Sequence, residues 1–247
     1  MGRNCVEEVA RHAPARLLEV FVAEAKDGRA QGSGDRRLSI YQTLEDLGVP
    51  VRERRRDELD AMAQSDSHQG FVARVTPRVS LTLEELLEIA QREDDVRVLA
   101  LDGVLDPHNL GAILRAAECF GITAVLWSRN RAAPVGPVVS KVSVGASELV
   151  PLCPVANLHR AIEALKELGV WSVGAMVARD AEPVASFKPP RKWLVVMGSE
   201  GEGIQRLIAD SLDFRLYIPM LGEIDSLNVS QATAVFLHSL TSMDKSV

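Results

Sequence analysis

Apolar and polar positions change period repeatedly along the 247-residue chain, and each change marks an expected element. Helical spacing in VEEVARHAPARL (6–17) gives way to the apolar run LEVFVAE (18–24), which predicts a helix followed by a strand. A polar, glycine-rich stretch, DGRAQGSGDRR (27–37), then leads into a second helical pattern, LSIYQTLEDLG (38–48). VPVRER (49–54) reads as a strand, DELDAMAQ (57–64) as a helical turn, and FVARV (71–75) as a strand closed by Pro77. This alternation predicts a small layered α/β domain over residues 1–77. TPRVSLTLEELLEIAQREDD (76–95) starts polar and becomes a charged helix, so 78–95 are expected to link two domains.

From Val96 onward, apolar β runs alternate with amphipathic helices. VRVLALDGV, ITAVLWS, VWSVGAM, KWLVVMGSE and FRLYIPM read as strands; LGAILRAAECFG, HRAIEALKELG, GIQRLIADS and NVSQATAVFLHSL read as helices. Short buried strands separated by helices predict a mostly parallel sheet covered on both faces, filling residues 96–247. Ligands on such sheets bind beyond the carboxyl ends of the strands.

Composition narrows the class. With 47% hydrophobic and 25% charged residues the chain is an ordinary globular one, not disordered or fibrous. A net charge of −6 argues against binding a polyanion by bulk charge. Its distribution is uneven, net −1 over residues 1–77 and net −5 over the remainder. Eleven of the 12 cations in the first part are arginines, with Arg52, Arg54, Arg55 and Arg56 almost contiguous, and arginine suits phosphate forks. A solvated face interleaved with Glu53, Asp57 and Glu58 is the ordinary alternative. Three scattered cysteines without a CxxC pair give neither a disulfide framework nor a metal site. The amino terminus lacks a secretory apolar core, Val6 stands where myristoylation needs Ser or Thr, and no run reaches the roughly 18 apolar residues of a membrane span. A cytoplasmic protein without a membrane partner is expected.

Three strand-end segments carry candidate chemistry. In LDGVLDPHNLGAILRAAECFG (101–121), Asp106 and Pro107 open a helix. Leu110, Ile113, Leu114 and Ala117 share one face of it, and at roughly 100° per residue Arg115 points about 140° away from Leu110. A solvated arginine and a capping Asn109 are the ordinary readings. VVMGSEGEGI (195–204) sets Gly198, Gly201 and Gly203 between a strand and a helix, where backbone amides can approach a ligand. Its order is not GxGxxG, it lacks a P-loop lysine, and Glu200 and Glu202 would repel a pyrophosphate, so a neutral or cationic ligand fits better. In YIPMLGEIDSLNVSQATAVFLHSL (217–240), Ser226, Asn228 and Ser230 crowd a helix start, more than capping needs.

Together the three segments resemble the SPOUT superfamily of RNA methyltransferases, and within it the SpoU (TrmH) 2′-O-methyltransferases. NLGAILRAAECFG, MGSEGEGI and IPMLGEIDSLNVSQATAVFLH stand in that family's motif order, over about residues 96–242. The first domain, with HQGFVARV (68–75), extends the likeness to the two-domain members that act on a guanosine of bacterial 23S ribosomal RNA, although GRNCVEE replaces their GxHxV-type start. The resemblance implies a trefoil-knotted catalytic domain, a homodimer formed through it, and S-adenosylmethionine as cofactor. RNA is the implied partner, and no DNA is expected. It places the cofactor at loops around Leu126, Gly198 to Gly203, Ile218 to Leu221 and Ser226 to Asn228, with Gly198, Ile218 and Leu227 meeting the adenosyl part through backbone. Asn109, Arg115, Glu200, Ser226 and Asn228 match its polar catalytic set, and the first domain, with Arg54, Arg55 and Arg56, would hold the RNA. The family role of Arg115 is general base. A guanidinium, with a pKa above about 12, is better suited to fix a phosphate and steady a developing alkoxide.

Competing readings are a non-catalytic ribosome- or RNA-binding protein, a nicotinamide-dependent oxidoreductase and a tRNA guanosine 2′-O-methyltransferase. Polar residues present in all three motifs oppose the first, and the missing GxGxxG opposes the second. Residues 1–77 oppose the third, whose members carry short extensions.

Overall fold

The computed structural model describes residues 2–24 and 34–242, with backbone alone at 34–38. Most of the glycine-rich stretch 27–37 therefore lies outside the described residues. The chain divides into two compact units, Met1–Val79 with Val135–Leu149, and Ser80–Pro134 with Val150–Val247.

In unit 1, β1 (Leu17–Ala23) is central, parallel to β2 (Val51–Arg54) and antiparallel to β3 (Phe71–Val75). α1 (Arg3–His12) and α2 (Gly34–Asp46) bury Val6, Val9, Ile40 and Leu44 with Val20 and Val22 in one core. α3 (Arg56–Ala63) buries Leu59 and Ala63 with Phe21 and Val72 in a second. The expected first helix, 6–17, is instead α1 followed by a 3-10 turn at Pro14–Arg16, because proline cannot continue the hydrogen-bond ladder. Val135–Leu149, which contains α6 (Pro137–Val142), also belongs to unit 1. Arg16 donates to Glu148 at 2.6 Å, Cys5 Sγ donates to the Ser140 carbonyl at 3.1 Å, and Arg78 donates to the carbonyls of Ser147 and Leu149.

Unit 2 starts with α4 (Leu83–Arg92), whose Thr82/Glu85 capping box fixes its first turn. Residues 78–95 are thus not a free linker: α4 buries Leu86 and Ala90 in the core of unit 2. The sheet consists of β4 (Val96–Asp102), β5 (Ala124–Ser128), β6 (Leu152–Val155), β7 (Trp171–Ala175), β8 (Glu182–Pro183), β9 (Lys192–Gly198) and β10 (Phe214–Tyr217). Its order is β6-β5-β4-β9-β7-β10-β8, and every pair is parallel. α4, α7 (Leu158–Lys166) and α8 (Arg206–Ser211) cover one face with Leu86, Ile162, Leu165 and Ile208. α5 (Pro107–Cys119) and α9 (Val229–Ser242) pack on each other and bury Leu110, Ile113, Leu114, Phe236 and Leu237. The edge strands β6 and β8 were not expected, being short and carrying Pro154 and Pro183.

The chain leaves β4 through α5 toward β5, and leaves β9 through α8 toward β10 on the opposite side. The connections diverge between neighbouring strands, which opens a crevice at their carboxyl ends. No helix of the described residues is long and apolar enough to cross a membrane.

Candidate active site

The crevice is built from the ends of β4 and β9. After β9 the backbone folds back on itself, Ser199 and Gly203 exchanging N–H···O bonds of 3.1 Å. This close return requires glycine at position 198, where a Cβ would sit 2.3 Å from the Gly203 carbonyl carbon and 2.5 Å from the Ile204 nitrogen. Gly201 and Gly203 turn the loop at φ of 91° and 68°, the left-handed region that disfavours other residues. The loop is tied to β4 by Asp102, 1% exposed, which accepts from the Gln205 backbone at 2.7 Å and from its side chain at 2.5 Å. Those bonds draw Ile204 and Gln205 out of the helix expected at 203–211, so α8 begins at Arg206.

Three of the expected polar residues meet over this loop. Asn109, in the first turn of α5, donates to Glu200 Oε1 at 3.0 Å; Asn228, just before α9, donates to the same oxygen at 2.8 Å and to Asn109 Oδ1 at 3.0 Å. Ser230 locks the Asn228 amide by donating to its Oδ1 from backbone at 2.8 Å and from Oγ at 2.6 Å. Asp106 caps α5 through the His108 N–H, which leaves Asn109 free for this network. A carboxylate held by two amide donors keeps its negative charge directed. Ser226 donates locally to Asp225 at 3.2 Å and, among the described residues, takes no part in the cluster.

Two clefts open on either side of the cluster and share Ser199, Glu200 and Val229 as a common wall. The first, about 410 Å³, is edged by Gly198, Gly201 and Gly203 and closed by Ser226, Leu227 and Asn228. The second, about 470 Å³, runs along Gly103 to Asp106 and Asn109 to Asn130 and Arg131. Both are within the size range of small-molecule sites. The first offers a glycine-edged backbone cradle beside the Glu200 carboxylate, with no cation among its described lining residues, a set that fits an adenosyl group bearing a sulfonium.

Other expected residues lie elsewhere. Leu126 is wholly buried within β5 in the apolar core, so its side chain cannot line a cleft. Ile218 follows β10 and is half-buried, Leu221 is fully exposed, and neither lines either cleft. Arg115 stands on the exposed side of α5, lines neither cleft, and has no hydrogen-bond or ion-pair partner among the described residues. The arginine run of unit 1 is divided. Arg54 lies over the Phe21 ring, Arg55 forks onto Asp57 at 3.0 and 2.5 Å, and Arg56 donates to the Asp66 carbonyl at 3.3 Å. The Cys153 thiol is pushed up to about 11 by burial, with Glu84 adding to the shift, and so is no nucleophile at neutral pH. Asn130 and Arg131 were missed by sequence reading because they lie outside the three segments, and Asp102 and Gly103, though inside the first of them, carried no local sign of a role in the site.

The chain is similar to known proteins over nearly its whole length. Residues 96–238 match the model of the SpoU rRNA Methylase family, and residues 1–79 match that of an RNA 2′-O ribose methyltransferase substrate-binding domain. A 23S rRNA (guanosine-2′-O-)-methyltransferase RlmB of Vibrio cholerae is 40% identical over 96% of this chain and 93% of its own. The protein of the same name from Pseudomonas aeruginosa is 39% identical over 97% and 94%. Among solved structures, the SpoU methyltransferase AviRb of Streptomyces viridochromogenes in complex with AdoMet has a TM-score of 0.78 at 19% identity, covering 100% of this chain and 90% of its own. The A. aeolicus TrmH/SpoU tRNA modifying enzyme covers only 66% of this chain and 82% of its own, with a TM-score of 0.56 at 24% identity. The parallel sheet, the motif loops gathered at its switch point and the matches on both units lead to one assignment: the chain belongs to the SpoU rRNA methylase family.

Proposed function

We propose that the protein transfers a methyl group from S-adenosylmethionine to the ribose 2′-hydroxyl of a guanosine in 23S ribosomal RNA. The observation that carries this is the Asn109–Glu200–Asn228 cluster, standing in the wall between a glycine-edged cleft and a second cleft. The likeness to relatives named for this activity supports the substrate, because it extends through unit 1. A tRNA target is disfavoured on the same ground, the tRNA-modifying relative matching only part of the chain.

When bound, S-adenosylmethionine supplies a methyl group already activated on a sulfonium. What remains for the protein is to align a poorly nucleophilic hydroxyl and accept its proton. Gly198, Gly203 and Leu227 would hold the adenosyl part in the first cleft. Asn109 and Asn228 fix Glu200 through Oε1, and its carboxylate, on the wall common to the two clefts, would take the proton of a ribose hydroxyl presented to it. Ser226 shapes the loop before Asn228. Leu126, Ile218 and Leu221, which the resemblance places at the cofactor, line neither cleft, and the reading rests on Gly198, Gly203 and Leu227 instead. Arg115, exposed and unpaired among the described residues, binds the RNA backbone next to the target ribose. The same reading makes the protein a cytoplasmic homodimer joined through unit 2, whose carboxyl-terminal part is threaded as a trefoil knot.

Calorimetry on the full chain tests the cofactor assignment. S-adenosylmethionine should bind and NAD should not; absence of the first with a folded protein would remove the basis for methyl transfer. Unit 1 should hold RNA without acting in the chemistry. Replacing Arg54, Arg55 and Arg56 together by Ala should weaken RNA binding and flatten its salt dependence while cofactor affinity stays constant. Unchanged RNA affinity would return the three arginines to a solvated face.

A further inference from the structure

The second cleft has no assigned occupant, yet it shares Ser199, Glu200 and Val229 with the cleft proposed for the cofactor. Methyl transfer needs its two reactants on either side of one short gap, and these two clefts have a wall in common. Its floor is built. Gly103 leaves β4 at φ 83°, and a side chain there would press on Ser199 Cβ at 3.2 Å and on Arg131 Nη2 at 3.4 Å. Arg131 is therefore laid along the Gly103 backbone. Its own loop is pinned, the Arg131 N–H donating to the Ser128 carbonyl at 3.1 Å and the Ala133 N–H to the Val104 carbonyl at 3.1 Å.

The guanidinium is nonetheless weakly engaged. Its one ion pair among the described residues is a 3.6 Å contact with Glu202, whose side chain is 83% exposed and whose charge is well screened. A pinned loop that holds an underused fork at the end of a nucleotide-sized cleft is a phosphate anchor in form. Resting on the methyltransferase reading above, we infer that this second cleft receives the acceptor nucleotide, with its phosphate on Arg131 and its ribose against the Glu200 wall. The remaining polar lining, Asp106, Asn109 and Asn130, presents carboxylate and amide groups of the kind that pair with base edges. Glu202 then competes with the phosphate for Arg131.

The test uses the full-length protein with 23S ribosomal RNA and radiolabelled S-adenosylmethionine in single turnover. Arg131→Ala should raise the RNA concentration giving half-maximal rate by about tenfold to a hundredfold, the scale of a lost charge-assisted phosphate contact. Cofactor Kd and thermal midpoint should stay at their wild-type values. Arg131→Lys should recover only part of the loss, because an ammonium lacks the fork. Glu202→Gln should move the other way and tighten RNA, an effect that a merely structural Arg131 would not produce. Unchanged RNA half-saturation in Arg131→Ala, with the wild type active, would overturn the cleft assignment alone. A wild type that binds no cofactor and transfers no methyl group would overturn the reading on which it rests.

Discussion

Gly198→Ala should bind S-adenosylmethionine about 10- to 100-fold more weakly than the wild type, the equivalent of the roughly 1–3 kcal/mol that overpacking costs. The reason lies in the strand end itself. The added methyl group would stand 2.3 Å from the Gly203 carbonyl carbon, 2.5 Å from the Ile204 nitrogen and 2.6 Å from the Gly203 oxygen. All three are backbone atoms, so no rotamer change relieves the clash. The 199–203 return must open, and with it the bonds that Asp102 makes to Gln205 are strained. Gly201→Ala is the comparison: no protein atom lies within 4 Å of its new Cβ, so the 199–203 return stays closed and the backbone cost is that of φ 91°, about 1 kcal/mol. Titration calorimetry on both variants decides the matter, and equal affinities would mean that the return does not form the cofactor cradle.

The contrast between these two glycines shows what the sequence made legible. The spacing MGSEGEGI between a strand and a helix pointed to a backbone cradle, because glycine clusters at strand ends have a local physical meaning. The clustering of Asn228 with Ser230 at a helix start was equally local, and the structure gives it a purpose in holding the Asn228 amide. Asp102 lay within the first segment, 101–121, without standing out there, since its partner Gln205 lies 103 residues away and no pattern links them. Arg131 escaped for the same reason. The excursion Val135–Leu149 leaves and re-enters a chain otherwise devoted to unit 2, and its membership in unit 1 rests on long-range contacts such as Arg16–Glu148. Leu126 illustrates the converse, a residue taken to mark a cofactor loop that packing places inside a strand in the core.

Arg115→Ala should keep its fold and its cofactor affinity while losing methylation by about 10²-fold or more, the scale of a positioned electrostatic or acid–base group. Retention of the fold follows from its position on the exposed side of α5, opposite the buried Leu110, Ile113, Leu114 and Ala117. Retention of cofactor affinity follows because it lines neither cleft. Its contribution then appears only with RNA bound, when the guanidinium meets a phosphate and orients the neighbouring ribose. Arg115→Lys separates charge from geometry: a bidentate fork should be badly impaired despite retained charge. Near-normal single-turnover rates in Arg115→Ala with the correct RNA would reduce Arg115 to a solvated side chain.

The central claim is the transfer of a methyl group to a ribose oxygen of guanosine, and the product is the most direct evidence. Purified protein is incubated with unmodified 23S ribosomal RNA and S-adenosylmethionine carrying a labelled methyl group, and the RNA is digested to nucleosides and separated. The label should appear in 2′-O-methylguanosine and should fall with Gly198→Ala at cofactor concentrations that saturate only the wild type. Label on a base, on another nucleoside or on no nucleoside at all would contradict the account.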